Sequence, residues 1–257
     1  MDIQAHTMTH PNLNELSSDK LEYELGDAKE CFLRNGIDTS IFAYPYGNGW
    51  NNLTVLESVA NHYDLARTNS KQPLTFLNCD HWKGISYDYM ANDSSNSMPS
   101  CFRDQNKSAV GGNATHSSSR IEQVLGSSRY AINSWSHKHI EGSYDYSRLS
   151  CADVCQYYNN SQMFERFIEV IKGQDVFNKD GTVRAIPIIV YHAFVPYDDI
   201  SESDIPTDTS VNLFEKEMRY LYENGVKVLT MSDLAYDENR ETLVIRPSHN
   251  LHIYGTN

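Results

Sequence analysis

The chain has 257 residues, of which 40% are hydrophobic, so it is long enough to bury the core of one large domain. Its 21 Lys and Arg residues against 34 Asp and Glu residues give a formal net charge of −13, which disfavours nucleic acid and anionic membrane surfaces as partners. No apolar run approaches the roughly 18 residues of a membrane span, and the first residues lack the basic and then apolar pattern of a signal sequence. Composition therefore favours a globular protein with a neutral or cationic partner.

The first part of the chain alternates between strand and helix patterns. In chain order, we expect a short buried strand at residues 1–6, a helix at 18–35, a strand at 41–44, a helix at 54–62 and a strand at 65–68. The first helix is the clearest of these, because Leu21, Leu25, Ala28 and Phe32 recur at helical spacing and Gly36 follows as a stop.

Periodicity is lost between about residues 69 and 129, where we expect an irregular insertion rich in Ser, Asn and Gly. Order returns at 130–135, followed by a helix at 163–171, a nearly continuous apolar central strand at 185–192, a helix at 211–224, a strand at 226–231 and an edge strand from 243. Alternation of this kind builds a parallel sheet, and a closed βα barrel is the natural form for one domain of this size.

The cysteines give little information about compartment. The five of them lack the paired Cys-x-x-Cys spacing of a zinc ribbon, and an odd number leaves at least one thiol unpaired in a monomer. Whether Cys79 and Cys101 pair across the irregular segment stays open.

Two histidines near the start of the chain are the sharpest local signal. His6 and His10 are separated by three residues, so their imidazoles can converge on one metal ion if the backbone between them turns. A structural or accidental pair is the alternative. Their position after a buried strand favours a metal site, because parallel βα folds place their active sites at strand ends.

Other histidines also follow apolar segments. His192 ends the apolar strand, where an imidazole is suited to general acid catalysis or is simply a capped core histidine. His137 and His139 are interpreted as loop histidines without an assigned ligand.

A rigid turn and three tryptophans complete the candidate features. The sequence Tyr-Pro-Tyr-Gly at 44–47 follows a strand, and its glycine permits close approach of the backbone to a ligand; an ordinary turn is the alternative. Trp50, Trp82 and Trp135 could stack on sugar rings, although aromatic residues in such a domain are also core residues.

Four motifs occur in a specific order along the chain. They are His-Thr-Met-Thr-His-Pro at 6–11, Phe-Ala-Tyr-Pro-Tyr-Gly at 42–47, Ala-Arg-Thr at 66–68 and Pro-Ile-Ile-Val-Tyr-His at 187–192. This pattern closely resembles the polysaccharide deacetylase family, the NodB-homology group of carbohydrate esterases. The resemblance covers most of the chain except the irregular insertion. The sequences at residues 47–52 and 133–137 are similar to those of archaeal secreted members.

The resemblance implies an α/β fold, a distorted (β/α) barrel of the NodB type, that removes N-acetyl groups from an amino-sugar polysaccharide. It also implies one divalent ion, usually zinc, held by an Asp-His-His triad. The residues that match the family's site are His6 and His10 as metal ligands, Tyr46 and His192 as catalytic residues, and Tyr44, Pro45 and Trp135 as substrate contacts. The Tyr46 backbone N–H would help hold the oxyanion, and His192 would protonate the leaving amine.

One departure from the family is severe. The Thr-Phe-Asp-Asp motif that carries the base and the third metal ligand is absent from the five residues before His6. We therefore interpret residues 1–257 as a single domain that is incomplete at its N-terminus, and we expect an extracellular or cell-envelope location from the resemblance. The alternatives are a non-catalytic glycan-binding module and a purely structural metal site.

Overall fold

The computed structural model describes residues 2–69, 73–77, 128–145, 150–178, 181–197, 205–240 and 242–246. The chain divides into two compact units, a first one from Met1–Asn69, Phe76–Ile132 and Leu229–Asn257, and a second one from Ser70–Thr75 and Asn133–Val228. Most of the expected insertion at 69–129, with Trp82, Cys79 and Cys101, lies outside the described residues.

The regular elements alternate along the chain. The helices are α1 (Ser18–Glu22), α2 (Ala28–Arg34), α3 (Leu53–His62), α4 (Asn160–Gly173) and α5 (Val211–Glu223), with a π-helical turn (Tyr23–Asp27) joining α1 to α2. The strands are β1 (Ile41–Ala43), β2 (Leu65–Arg67), β3 (Leu74–Phe76), β4 (Trp135–Ser136), β5 (Ile140–Asp145), β6 (Ser150–Tyr157), β7 (Ala185–Pro187), β8 (Ile189–Val190), β9 (Ala193–Val195), β10 (Asp208–Ser210), β11 (Leu234–Asp237) and β12 (Thr242–Ile245).

The first unit has a small parallel sheet covered by helices. β1 pairs with β2 in parallel, and single bridges extend the pair on one side through Ala5 and on the other through Ile132. The core contains Leu21 and Leu25 from the first helical segment together with Phe42 from β1. The helix expected at 18–35 is therefore present, with a π-helical turn in its middle that the apolar spacing does not indicate.

In place of the strand expected at 1–6, the structure has a single β-bridge between Ala5 and Phe42. Ala5 bonds to Ile41 and Ala43 through its backbone. One residue earlier, the side-chain oxygen of Gln4 accepts the N–H of Ile41 at 3.0 Å in place of a backbone carbonyl. Because the Gln4 side chain replaces a backbone carbonyl here, the backbone ladder between this segment and β1 ends at Ala5. Residues 1–6 therefore do not form a longer strand.

The second unit has a core between α4 and α5. It contains Met163 and Phe167 from α4 and Leu213 and Leu221 from α5. The helices predicted at 163–171 and 211–224 are thus confirmed. The antiparallel hairpin of β5 and β6 was not expected from the sequence. Cys155, in β6, is disulfide-bonded, whereas Cys31 in the first unit is a free, exposed thiol.

Two further strand predictions are wrong in detail. The expected continuous strand at 185–192 is two short strands, β7 and β8, which pair with β3 and β4 respectively. Pro187 ends β7, and a proline has no N–H to donate to a continuing ladder. The expected strand at 226–231 is an irregular segment, in which Val228 is exposed, followed by a short helical turn (Met231–Asp233). The edge strand expected from 243 is confirmed as β12, paired with β11.

Within the described ranges, the strands form six two-stranded pairs, both parallel and antiparallel. The mixed helix and strand content is that of an α/β protein, and the closed barrel stays a prediction. None of the helices in this part of the chain has the length and apolar character needed to cross a membrane.

Candidate active site

The two histidines of the first motif lie side by side in the first unit. The ring centroids of His6 and His10 are 4.7 Å apart, and the ring planes are inclined by 71°. The ring of Tyr46 also packs against His10 in an edge-on arrangement, again with 4.7 Å between centroids. The loop that follows the Ala5 bridge and the turn that follows β1 therefore meet at one place.

The backbone between the two histidines is strained. Thr7 has a φ of 69° and His10 a φ of 62°, a region that costs side-chain-bearing residues about 1–3 kcal/mol each. The Thr7 hydroxyl compensates in part, because it accepts the N–H of His10 at 2.9 Å. This reversal of the chain is what brings the second imidazole back to the first.

A backbone carbonyl fixes the orientation of His6. Its Nδ1 lies 2.7 Å from the oxygen of Ala43. A carbonyl can only accept, so Nδ1 carries the proton and Nε2 keeps the lone pair that a metal would use. Desolvation lowers the pKa of His6, an effect that nearby His10 and Arg67 reinforce and the bond to Ala43 opposes. A neutral imidazole is the form that binds metal.

The register of the sheet identifies a residue that sequence reasoning did not assign. Phe42 pairs with Ala5 on one side and with Ala66 on the other, and all three are buried in the core. The next residues along the three segments therefore point to the opposite face, because side chains alternate. Those residues are His6, Ala43 and Arg67.

Arg67 is thus on the same face of the sheet as the histidine pair. Its Cα partner in the register is Ala43, whose carbonyl holds His6. Burial lowers the pKa of Arg67. The motif Ala-Arg-Thr at 66–68 contains Arg67, but only the register with Ala43 places it on this face of the sheet.

The turn after β1 presents Tyr46. Pro45 and Gly47 are buried, whereas the Tyr46 side chain is 62% exposed and its backbone has a φ of 56°. Thr68 donates its hydroxyl hydrogen bond to the Gly47 carbonyl at 2.7 Å, which ties the turn to the end of β2. The N–H of Tyr46 lies in the first turn of a short helix, where backbone N–H groups lack partners within the turn.

The expected substrate contacts lie mainly in the interior. Tyr44 belongs to the core of the first unit, and Trp135 to that of the second, where it is 9% exposed. Pro45 is buried beside Tyr44, whereas Trp50 is 38% exposed. A role of Tyr44, Pro45 or Trp135 in binding substrate stays a prediction.

In the second unit, His192 is exposed at the end of its apolar segment. Its Nε2 lies 2.9 Å from the hydroxyl oxygen of Ser136 in β4. His192 and the His6 and His10 pair belong to different units, so a shared cleft stays a prediction. Ser136 was not singled out from the sequence, and only its position beside Trp135 could have drawn attention to it.

His137 and His139 lie in the irregular segment between β4 and β5, as predicted, and both are buried and hydrogen-bonded. His137 is fully buried, with Nε2 2.8 Å from Glu217 and Nδ1 3.1 Å from the hydroxyl of Thr209. The other carboxylate oxygen of Glu217 accepts the Tyr191 hydroxyl at 2.6 Å. His139 is also buried and bonds through Nδ1 to the carbonyl of Tyr158. This network explains why polar residues lie beside the core of the second unit.

The donor set at the histidine pair fits part of a zinc site. Imidazole is a preferred zinc ligand, and structural or catalytic zinc needs three or four protein ligands. Two adjacent imidazoles, one with its lone-pair nitrogen already defined, can fill two positions. Across the described ranges of the chain, no group of three or more His, Cys, Asp or Glu side chains is placed to hold a metal.

Comparison with known proteins finds a match in the same part of the chain. Residues 1–66 match the family model for polysaccharide deacetylase, so the resemblance is confirmed over the segment that contains both histidines and the Tyr46 turn. No curated protein matches the chain.

Two solved structures are similar over short segments. The Streptococcus pyogenes deacetylase PplD, in complex with acetate, is 31% identical over 28% of this chain and 31% of that one, with a TM-score of 0.26. A Bacillus anthracis protein named as a polysaccharide deacetylase is 27% identical over 27% of this chain and 21% of that one, with a TM-score of 0.24. The chain therefore spans less than a third of either relative.

Proposed function

We propose that this protein is a metal-dependent hydrolase that removes N-acetyl groups from an amino-sugar polysaccharide, with zinc as the divalent metal. The observation that carries the proposal is the convergence of His6 and His10, 4.7 Å between ring centroids, inside the segment that matches the deacetylase family. A zinc ion held by His6 and His10 would polarise a carbonyl and make water nucleophilic at neutral pH.

The chain's own residues support hydrolysis in three ways. His6 is held by Ala43 so that Nε2 is the available ligand atom, and the strained loop brings His10 beside it. The backbone N–H of Tyr46, in the turn next to His10, is suited to donate to the oxyanion that forms when water adds to an amide carbonyl.

The leaving group needs a proton. Breaking the C–N bond of the amide gives acetate and an amine, and the amine departs only after its nitrogen is protonated. We assign this step to His192, an exposed imidazole whose Nε2 lies 2.9 Å from the hydroxyl oxygen of Ser136. Arg67, a cation on the same face as the pair, is suited to bind the acetate product.

The partner and location follow from the same proposal. An acidic chain with a net charge of −13 fits a neutral acetylated glycan rather than nucleic acid. The disulfide at Cys155 favours an extracellular or cell-envelope location, because such bonds persist in oxidising compartments.

A second candidate is a glycan-binding module without turnover. It is favoured by the two-ligand donor set found among the described residues and by the exposed aromatic rings of Tyr46 and Trp50, which could stack on sugars. A structural metal site without a glycan is the third.

The separating experiment measures acetate release from chitooligosaccharides by the full chain, with added zinc and with a chelator, alongside calorimetric glycan binding. Zinc-dependent release supports the hydrolase. Binding without release in either condition supports the module, and zinc binding without glycan binding supports the structural site.

A further inference from the structure

We propose that Glu24 is a positioning residue that holds the loop at residues 7–10 in the conformation that presents the two imidazoles. The inference rests on the proposed function in so far as the loop binds a metal. It concerns a side chain that lies on a helix, fourteen residues after His10, and whose hydrogen bonds go to Met8 and Thr9 rather than to either histidine ring.

The carboxylate of Glu24 is used entirely by this loop. One oxygen accepts the backbone N–H groups of Met8 and Thr9, at 2.9 and 2.8 Å, and the other accepts the Thr9 hydroxyl at 2.5 Å. Two consecutive N–H groups aimed at one oxygen define the direction of the backbone immediately before His10. These three hydrogen bonds therefore fix the conformation of the loop, and the Glu24 carboxylate is not needed as a metal ligand.

Glu24 lies where the helix pattern calls for an apolar residue. It is 5% exposed, between the core residues Leu21 and Leu25, and it belongs to the π-helical turn. Burial of a carboxylate is unfavourable unless its oxygens are satisfied, and here the loop satisfies them. π-Helical turns are frequent at functional sites, where they redirect a side chain from its regular helical position.

The loop requires such support. Thr7 and His10 both have positive φ, and Thr7 is β-branched, for which this region is a genuine outlier. Strained conformations persist only when the surroundings over-determine them. The contacts that do so here are the Thr7 hydroxyl on the N–H of His10 and the Glu24 carboxylate on the two residues between.

The test compares Glu24→Leu with Glu24→Gln in the full chain. Leucine removes every acceptor, whereas glutamine keeps one carbonyl oxygen for the two N–H groups and can donate its amide to the Thr9 hydroxyl. Glu24→Leu should weaken zinc binding by roughly 10- to 100-fold, the range for outer-shell partners, and Glu24→Gln should restore most of it. Hydrogen exchange at the Met8 and Thr9 amides, measured without metal, should accelerate in the leucine variant only.

Leu25→Ala is the matched control for stability. It loosens the same helix without touching the carboxylate, so it should lower the unfolding temperature while zinc affinity stays within about threefold of wild type. If Glu24→Leu does not fold, Thr9→Val replaces it; this variant removes one of the three bonds and should weaken zinc binding in the same direction.

The outcomes separate this inference from the proposed function. Unchanged zinc affinity and unchanged amide exchange in folded Glu24→Leu overturn the positioning role. If the wild type binds no zinc but the Met8 and Thr9 amides exchange faster in Glu24→Leu, the positioning role is supported and the metal-dependent function is overturned. Equal losses in Glu24→Leu and Leu25→Ala overturn the inference, because general destabilisation then explains both.

Discussion

At the scale of single residues, backbone strain marks the site. In the described part of the chain, the non-glycine residues with positive φ are Thr7, His10 and Tyr46. Two of them belong to the histidine loop, and the third packs its ring on His10. Strained residues gather at functional sites because the fold has to hold a geometry that the chain alone would not choose.

The histidine pair gives the first prediction. His10→Ala should weaken zinc binding by more than about 100-fold, because it removes a ligand rather than the outer-shell support whose loss costs roughly 10- to 100-fold. Calorimetric titration of the metal-free chain measures this. His62→Ala, which removes an imidazole bound to Glu22 instead, is the control and should bind zinc like the wild type. Equal zinc affinity in both variants would contradict the assignment of the pair.

Gly47 gives the second residue-scale prediction. It has a φ of 67°, and a Cβ there would lie 2.9 Å from the backbone nitrogen of Asn69. Gly47→Ala should therefore lower the free energy of unfolding by about 2 kcal/mol or more, with steric overlap added to the conformational cost. Urea denaturation measures it. Gly36→Ala, with a φ of 75° and nothing within 4 Å, should cost only about 1 kcal/mol; equal costs would show that the overlap relaxes.

At the scale of elements, local pattern predicts the helices better than the strands. Leu21, Leu25 and Phe32 recur along the first helical segment, and the helix is there. Strand prediction fails where tertiary partners decide: the hydrogen bond from Ile41 to the Gln4 side chain ends the first strand. The π-helical turn was also not predicted, because only the distant loop makes a buried Glu24 favourable.

The packing of the second unit gives an element-scale prediction about pH. Desolvation lowers the pKa of His139, reinforced by His137 and opposed by the bond to the Tyr158 carbonyl. Below the ordinary value near 6.5, the unfolded chain binds a proton that the folded chain does not. Stability from this group is thus complete above about pH 6.5 and falls as pH decreases towards the folded pKa, by up to about 1.4 kcal/mol per pH unit.

His139→Asn tests this pH dependence. The asparagine amide can still donate to the Tyr158 carbonyl but does not titrate, so the decrease in unfolding free energy between about pH 6.5 and 5 should become shallower. The same slope in wild type and His139→Asn would exclude His139 as the source.

At the scale of the whole molecule, the sequence reveals the net charge and the order of the motifs, whereas other features of the candidate site depend on the fold. The family resemblance predicts His6, His10 and Tyr46 at one site, and the structure brings their rings together because the Ala5 segment bridges to β1. The sequence could not indicate Arg67 or Ser136, whose relevance depends on register and on a cross-strand contact. Net charge is readable from the sequence alone, and among the species of the proposed reaction it should act most strongly on the cationic product.

The last prediction concerns this charge. Each deacetylation converts a neutral amide into an amine that is cationic at neutral pH, and the chain carries a formal charge of −13. A de-N-acetylated oligosaccharide should therefore bind more tightly than its acetylated parent at about 10 mM salt, and it should lose that advantage at about 150 mM, where the screening length falls to roughly 8 Å. The affinity of the acetylated oligosaccharide should change little, because it has no charge to screen. Calorimetric titrations of both ligands at the two salt concentrations measure the difference. If the product's affinity is independent of salt, local contacts rather than the acidic surface determine its binding.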